Sequence, residues 1–151
     1  MVNKNVIVTG GAGYIGSTLC KELKKSGYNP ITIDNLSTGF KSLVKFGEFI
    51  EGDVGDYEKL ISIFKEYHPI AVFHIASSKS VGESIENPYK YFNNNVAKTN
   101  VLLKAAVDSN IKHFIFSSSA AIFGDVTRDL VDENHAANPI NPYGLSKLIS
   151  E

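Results

Sequence analysis

The chain has 151 residues, of which 43% are hydrophobic and 21% are charged, and its formal net charge is −1 at pH 7. This length and composition suit one folded domain with a buried core and exclude a disordered chain. The near-neutral charge gives no electrostatic basis for binding nucleic acid or an anionic membrane, so neither is expected as a partner.

Cysteine usage and the distribution of apolar residues indicate where the chain works. Cys20 is the single cysteine and cannot form an internal disulfide, which favours a reducing compartment. No apolar core typical of a signal peptide follows residues 1–4, and no apolar run approaches the ~20 residues that span a bilayer. We therefore expect a soluble cytoplasmic domain.

Strand-like and helix-like segments alternate along the chain. Five apolar runs predict strands at residues 6–9, 29–33, 48–52, 70–75 and 113–118. Several of these runs are almost continuously apolar, as at 71–75 and 114–116, which is typical of strands covered on both faces. The sequence thus predicts an α/β fold, a doubly wound parallel sheet flanked by helices.

Helical periodicity follows three of these strands. After the first strand, apolar residues repeat at Ile15, Leu19 and Leu23, and Cys20 beside them is expected to pack rather than react. After the third, Asp56 is a capping candidate for the repeat Tyr57, Leu60, Ile61 and Phe64. After the fourth, a longer helix is predicted from Asn87 and Pro88 to about Ser109.

Gly10, Gly13 and Gly16 fall in the turn between the first strand and the first helix. Such a turn aims backbone N–H groups and the positive end of the helix dipole at one place. Glycine is needed because a side chain would block both the tight turn and the approach of a pyrophosphate. The spacing predicts a dinucleotide site, with a plain glycine-rich turn as the alternative.

Carboxylates follow the second and third predicted strands. Asp34 lies 18 residues beyond Gly16, close to the place of an acid that takes the adenosine ribose hydroxyls. A carboxylate there repels a 2′-phosphate, which favours NAD over NADP. Asp53 could accept from the adenine amino group. Either aspartate alone is more simply a turn or cap residue, but several suitable strand ends together favour a site.

Tyr143 and Lys147 lie four residues apart, on one face of a predicted helix. A phenol has a reference pKa near ~10 and is a poor base, but a nearby cation favours the phenolate. Ser119, at the end of the fifth strand, could hold a substrate oxygen in line. Such a pair alone is common on solvated helix faces, whereas its place after a dinucleotide sheet and a serine run favours a catalytic role.

These motifs and the strings around them resemble the UDP-glucose 4-epimerases of the extended short-chain dehydrogenase/reductase family. The glycine triplet, Ser119 and the Tyr143 and Lys147 pair match the wider family, which implies a Rossmann-type fold. Residues 34–39, 79–84, 93–96 and 116–120 are similar to the epimerases in particular, and the resemblance covers essentially the whole chain. Phe123 replaces a tyrosine, and Ser77 replaces a glycine, that many relatives carry.

The resemblance implies epimerisation of UDP-glucose and UDP-galactose at C4, with NAD as cofactor and a transient 4-keto sugar. Tyr143 would take the proton of the 4′-hydroxyl, Ser119 would hold the 4′-oxygen, and Lys147 would hold the nicotinamide ribose. The substrate-binding residues would be Lys79, Ser119 and Tyr143. The cofactor-binding residues would be Gly10, Gly13, Tyr14, Ile15, Gly16, Asp34, Asn35, Leu36, Ser37, Gly39, Asp53, Val54, Ile75, Ala76, Lys79, Asn94, Tyr143 and Lys147.

The same resemblance implies the partners of the chain. A UDP-hexose is the expected substrate, and a homodimer of the full-length parent is expected through the long helix and the helix of Tyr143. No metal is expected, because no metal-ligand spacing is found among His68, His74, His113 and His135.

In the family, roughly half of the protein follows the stretch that this chain covers. Residues 1–151 are therefore expected to be the NAD-binding Rossmann domain without the substrate domain, and to turn over poorly alone because catalysis needs a held sugar. Two alternatives stay open. Another nucleotide-sugar epimerase or dehydratase is one, although Ala120 and Ala121 stand where a dehydratase needs an acid–base pair. A catalytically silent NAD-binding module is the other.

Overall fold

The computed structural model describes residues 4–126 and 130–151. Its strands are β1 Asn5–Thr9, β2 Asn29–Asp34, β3 Glu48–Glu51, β4 Ala71–His74 and β5 His113–Phe116. They form one sheet in the order β3-β2-β1-β4-β5, and every neighbouring pair is parallel. The five predicted strands are confirmed to within two residues at each end. The strand order reverses between β1 and β4, so the carboxyl ends of these strands form the switch point of a doubly wound sheet.

Helices connect the strands. They are α1 Tyr14–Lys25, α2 Tyr57–Tyr67, α3 Val81–Glu86, α4 Pro88–Tyr91, α5 Lys98–Asp108 and α6 Pro142–Ser150. Short 3₁₀ turns span Lys41–Leu43 and Ala120–Phe123, and a π-helical segment spans Phe92–Ala97. The predicted long helix is therefore present as α4, the π segment and α5 in succession. None of the described helices has the length and apolar character needed to cross a membrane.

Side-chain caps set where the helices begin. The Asp56 carboxylate accepts from the Lys59 N–H at 3.1 Å, and the Asn87 side chain accepts from the Lys90 N–H at 3.2 Å, which confirms both predicted caps. Helix α3 was not predicted, because its six residues are too few to show a period. Its cap is Ser80, whose hydroxyl oxygen accepts from the Glu83 N–H at 3.3 Å.

The chain divides into two compact units. The first unit contains Met1–Ala76 and Val101–Ser117, and the second contains Ser77–Asn100 and Ser118–Glu151. In the first unit, one face of the sheet packs on α2 and α5 through residues that include Ile7, Val72, Leu60, Phe64 and Leu102. The other face packs on α1 through Val6, Val8, Ala71, Cys20 and Leu23. Helices thus cover both faces of the central strands, as the sequence predicted.

For helix α1, the structure corrects one detail of the predicted packing and confirms another. Ile15 is 59% exposed, so its assignment to the apolar face of α1 is wrong; the buried face consists of Gly16, Cys20 and Leu23. Cys20 packs in the core as expected, and burial raises the pKa of its thiol, which disfavours the reactive thiolate.

Strand β5 also differs from the prediction. It pairs only with β4 within the described sheet, and Ile115 is 41% exposed, so coverage of both faces is wrong for this strand. An apolar run marks a strand, but it does not distinguish a central strand from an edge strand.

Candidate functional site

The turn between β1 and α1 leaves no room for side chains at Gly10 and Gly16. A Cβ on Gly10, whose φ is +73°, would lie 2.7 Å from the backbone nitrogen of Ala76. A Cβ on Gly16 would lie 2.1 Å from the carbonyl oxygen of Gly10, and the Gly13 N–H donates to that same oxygen at 3.1 Å. Glycine is therefore required because the turn packs on its own backbone and on the backbone that follows β4.

Helix α1 begins with an open N-terminus. Its N-cap is Gly13, which makes no side-chain cap bond, and its first turn contains no acidic residue. The first four N–H groups of an α-helix have no partner within the helix. Tyr14 and Ile15, the first two helical residues, extend their side chains into solvent, at 83% and 59% exposure. A helix start of this kind suits an anion.

Asp34 ties the loop after β2 to the glycine turn. Its two carboxylate oxygens accept from the N–H of Ala12 at 3.0 Å and from the N–H of Leu36 at 2.9 Å. The Phe40 N–H donates to the Ala12 carbonyl at 2.9 Å, and a Cβ on Gly39 would lie 3.0 Å from Ala12. The loop 34–39 thus lies against the turn, where the sequence placed its candidate residues.

Asn35 joins this loop to the end of β3. Its Nδ2 donates to Asp53 Oδ2 at 2.9 Å, and its Oδ1 accepts from the Ser37 N–H at 3.0 Å. Asp53 Oδ1 also accepts from the Gly55 N–H at 2.8 Å. Asp34 and Asp53 therefore both stabilise turns. A carboxylate has about four lone-pair positions, so the two bonds of Asp34 leave capacity for a ligand.

Val54, Ile75 and Ala76 follow β3 and β4. The Val54 side chain is buried in the core cluster that faces α2, so only its main chain can meet a ligand. Ile75 packs on the α1 side of the sheet and Ala76 on the α2 side. Their N–H groups both bond to Thr9, at its carbonyl (3.2 Å) and its hydroxyl (3.3 Å) respectively.

In the second unit, α6 carries Tyr143 and Lys147 one turn apart. The helix packs on the 3₁₀ turn Ala120–Phe123, since a Cβ on Gly144 would lie 2.4 Å from the Ala121 carbonyl oxygen. Ser119 is the N-cap of that turn, and its Oγ accepts from the Ala121 N–H at 3.2 Å. The structure thus brings the segment of Ser119 into contact with the helix of Tyr143 and Lys147.

Lys147 is buried, with 4% of its surface exposed. Burial lowers the pKa of its ammonium to about 8, since the charged form loses its hydration. The side chain is therefore still a cation at pH 7, but it lies much closer to titration than an exposed lysine.

Lys79 and Asn94 belong to the second unit as well. Lys79 is exposed and immediately precedes the cap of α3. Asn94 is half-buried in the π segment, and its Nδ2 donates to the Ser78 Oγ at 3.2 Å. Both residues thus flank the short loop at Ser78.

Asn95 was missed by the sequence analysis. It is 2% exposed; its Nδ2 donates to the Ser78 carbonyl at 2.9 Å and to the Ser146 Oγ at 3.0 Å, and its Oδ1 accepts from the Ser78 N–H at 2.8 Å. Its carbonyl accepts from the Thr99 and Ser150 hydroxyls. Asn95 therefore joins the Ser78 loop, the π segment and α6. The sequence signal was a run of three asparagines, which does not show which of them is buried.

Tyr91 was missed too. It is fully buried, its hydroxyl donates to Glu83 Oε2 at 2.8 Å, and its ring meets the ring of Tyr143 edge-on with centroids 6.3 Å apart. Burial, followed by the bond to Glu83, raises the pKa of Tyr91. Glu83 also accepts from Lys90. A neutral, anchored ring therefore packs against the candidate catalytic tyrosine.

A doubly wound parallel sheet with a glycine turn at its switch point, followed by a Tyr-x-x-x-Lys helix, defines a Rossmann-type fold of the short-chain dehydrogenase/reductase class. Residues 6–151 match the sequence pattern of the NAD dependent epimerase/dehydratase family. The chain belongs to this family.

Individual relatives agree with that membership. A UDP-glucose 4-epimerase of Rhizobium meliloti is 43% identical over the whole chain, which covers 46% of that protein. The structure of a UDP-glucose 4-epimerase from Brucella ovis in complex with NAD matches 97% of the chain with a TM-score of 0.95 and 49% identity, over 45% of its own length. The Bifidobacterium longum UDP-glucose 4-epimerase in complex with NAD⁺ and UDP matches 97% of the chain with a TM-score of 0.92 and 36% identity, over 46% of its length. The chain thus spans about half the length of the relatives it matches.

Proposed function

We propose that this chain is the NAD-binding half of an enzyme that interconverts UDP-glucose and UDP-galactose at C4. The observation that carries the proposal is the glycine turn, packed so closely that a Cβ at Gly10 or Gly16 would meet backbone, next to the open start of α1. The names of the relatives, which are UDP-glucose 4-epimerases with NAD in two of the solved structures, support the same ligand and reaction.

The proposed cofactor-binding groups differ in the part of NAD that each suits. Gly13 leaves the main chain open to close approach, and the N–H groups of Tyr14, Ile15 and Gly16 suit the pyrophosphate. Asp34, with the loop residues Asn35, Leu36, Ser37 and Gly39, suits the adenosine ribose. Asp53 and the main chain of Val54 suit the adenine. For the nicotinamide half, the proposed residues are Ile75, Ala76, Lys79 and Asn94, with Tyr143 and Lys147.

The chemistry falls to Ser119, Tyr143 and Lys147. When bound, NAD would supply a hydride acceptor and, once reduced, a hydride donor for C4′ of the sugar. The Tyr143 phenolate, which the Lys147 cation one turn away favours, takes the proton of the 4′-hydroxyl, and the phenol so formed returns it. Because Ser119 Oγ already accepts from the Ala121 N–H, its own proton is available to the 4′-oxygen.

Calorimetric titration of the chain with NAD tests the cofactor half of the proposal. We expect NAD to bind at least about tenfold more tightly than NADP, because Asp34 repels a 2′-phosphate. Gly13→Ala should weaken NAD binding at least about tenfold, since its methyl group projects where a pyrophosphate must approach.

Gly82→Ala is the matched control. A Cβ at Gly82 meets nothing within 4 Å, so this variant should bind NAD like the wild type. Equal affinity of Gly13→Ala and wild type would contradict a cofactor role of the turn, and absence of NAD binding by the folded wild type would refute the proposal.

Conversion of UDP-galactose by the enzyme that carries this chain tests the catalytic half. We expect Tyr143→Phe to lower kcat by about 100- to 10,000-fold while NAD stays bound, since the general base is lost. A Tyr143→Phe enzyme with unchanged kcat would show that another group moves the proton. Binding of NAD without any turnover by the wild-type enzyme would favour a silent NAD-binding module.

We also propose that the full-length parent is a homodimer. Leu145 and Ile149 lie four residues apart on α6 and are 39% and 53% exposed, so α6 presents an apolar face without a partner in this chain's described residues. Analytical ultracentrifugation of the parent should show a dimer, and Ile149→Lys should shift it toward monomer.

A further inference from the structure

Thr9 and His74 form a buried polar pair at the carboxyl ends of β1 and β4. Thr9 Oγ1 and His74 Nδ1 are 2.6 Å apart, and the two residues are 0% and 1% exposed. They are direct partners in the register of the two parallel strands. Two polar groups inside a sheet are costly unless they bond to each other or to the backbone, so this pair calls for a reason.

The same threonine holds the main chain after β4. The Ile75 N–H donates to the Thr9 carbonyl at 3.2 Å, and the Ala76 N–H donates to Thr9 Oγ1 at 3.3 Å. A hydroxyl has one proton and two lone pairs, which suffice for Ala76 and His74 together in either tautomer of the imidazole. Thr9 thus binds two consecutive N–H groups of the strand end.

Ala76 is also the residue on which the first glycine of the turn packs. The backbone nitrogen and Cα of Ala76 would lie 2.7 and 2.8 Å from a Cβ on Gly10. Thr9 precedes Gly10 in the chain and bonds Ala76 through its side chain, so it fixes both sides of this contact. A displaced Ala76 would leave Gly10 without the surface that sets its position.

His74 in turn is held by aromatic packing. Its ring lies 6.0 Å from the Phe114 ring and 5.8 Å from the Phe116 ring, measured between centroids, in tilted arrangements. A threonine side chain has three staggered rotamers, and a fixed Nδ1 at 2.6 Å selects one of them for Thr9. That rotamer is the one that also reaches Ala76.

We infer that the Thr9–His74 pair positions Ala76 against Gly10 and thereby sets the affinity of the glycine turn for NAD. The inference rests on the proposed function, that this turn binds NAD. Thr9 and His74 act through Ala76 and Gly10, and are therefore positioning residues rather than ligand contacts.

Thr9→Val tests the inference, because valine keeps the shape of threonine and removes only the hydroxyl. Calorimetry of NAD binding to the chain should show a Kd raised about five- to tenfold, because the bond that holds the Ala76 N–H is lost along with the bond to His74. Thr9→Ser restores the hydroxyl and should return the Kd to within about twofold of wild type.

Thr99→Val is the matched control. Thr99 is a threonine of α5 that is 1% exposed, and its hydroxyl donates to the Asn95 carbonyl at 2.7 Å rather than bonding the backbone after β4. This variant should keep the NAD affinity of wild type. A Kd raised as much as in Thr9→Val would overturn the inference, since loss of any buried hydroxyl would then have the same effect.

Substitutions of His74 provide a second, independent test of the inference. His74→Asn keeps a polar atom near the place of Nδ1, whereas His74→Leu has none there. The asparagine variant should therefore bind NAD more tightly than the leucine variant. The Kd for NAD of the double variant Thr9→Val/His74→Leu should lie within about twofold of the Kd of the weaker-binding single variant, because both changes break the same linkage. Full additivity would overturn the inference.

The outcomes separate the inference from the proposed function. If folded wild type binds no NAD, the proposed function fails. If wild type binds NAD and Thr9→Val has the same Kd, only the inference fails. If circular dichroism shows that Thr9→Val does not fold, the two His74 variants provide the test instead. Equal Kd values for His74→Asn and His74→Leu would then overturn the inference.

Discussion

The glycine turn of the first unit and the α6 region of the second unit are built in different ways. In the turn, backbone meets backbone: Gly10 packs on Ala76, and Gly16 packs on the Gly10 carbonyl. Around α6, buried side chains make the connections, and Asn95 and Tyr91 are the centres of two networks. The turn is sensitive at its glycines and at the few side chains that support it, such as Thr9, whereas the networks around α6 depend on each of their polar groups.

The largest expected effect is that of Asn95→Ala. It removes a buried amide that makes three bonds, two to the Ser78 backbone and one to the Ser146 hydroxyl, and it takes away the acceptor of the Ser78 N–H. We expect the free energy of unfolding to fall by about 3–4 kcal/mol, measured by urea denaturation. Asn93→Ala, an exposed neighbour of the same type, should change it by less than about 0.5 kcal/mol. Similar values for the two variants would break the comparison.

Gly16→Ala should come next. Its Cβ would lie 2.1 Å from the Gly10 carbonyl oxygen and 2.8 Å from Gly11, so the backbone must shift. We expect a loss of about 2 kcal/mol in the free energy of unfolding, together with loss of NAD binding. Gly82→Ala, in open space, should be neutral or stabilising because alanine favours helix. A Gly16→Ala variant that binds NAD normally would show that the turn is adaptable.

Lys147→Met tests whether the region around α6 contains a buried charge, which the glycine turn does not. The folded pKa of Lys147, about 8, lies below its ordinary value of 10.5, so burial of the cation destabilises the fold. Below pH 8 Lys147 is protonated in both the folded and the unfolded state, and the full cost of burying its charge is present. Between pH 8 and 10.5 the unfolded state binds more protons than the folded state, so the free energy of unfolding of the wild type increases as the pH rises.

We therefore expect Lys147→Met to be about 2 kcal/mol more stable than wild type at pH 7, by urea denaturation. The difference should shrink as the pH rises toward 10.5. A difference that does not vary with pH would contradict a buried ammonium at this position.

The smallest effect on stability and NAD binding is expected for substitutions on the exposed surface of α1. The hydroxyls of Ser17 and Thr18 donate to the Tyr14 carbonyl at 3.1 and 3.0 Å in exposed positions. Ser17→Ala and Thr18→Ala should each change stability by less than about 0.5 kcal/mol and leave the Kd for NAD unchanged. A marked loss of NAD affinity in either variant would show that the turn also depends on these exposed hydroxyls.

This difference in construction also decides what the sequence could predict. The five strands and the glycine turn were predictable, because apolar runs and glycine spacing act through neighbouring residues. The exposure of Ile115 was not, since an edge strand and a central strand can have the same composition. Asp34 lies against the turn as expected, and the bond to Ala12 that holds it there joins residues 22 positions apart.

In the second unit, the sequence identified Tyr143 and Lys147 by their spacing but not the residues that hold them. Asn93, Asn94 and Asn95 are identical in type, and only the three-dimensional path of the π segment buries Asn95. Tyr91 resembles the exposed Tyr89 two positions earlier, and its bond to Glu83 depends on how α3 meets α4. Such networks have no short-range signature.

The π segment Phe92–Ala97 has a consequence for the phase of the helix that contains it. Residues four apart in an α-helix drift around the axis by about 40° per step, and a wider turn offsets this drift. Tyr91, Asn95 and Thr99 are accordingly all buried, at 0%, 2% and 1% exposure. Deletion of one residue from 92–97 would turn the following residues by about 100° and break this row. The segment should therefore accept many substitutions at its exposed positions but no change in length.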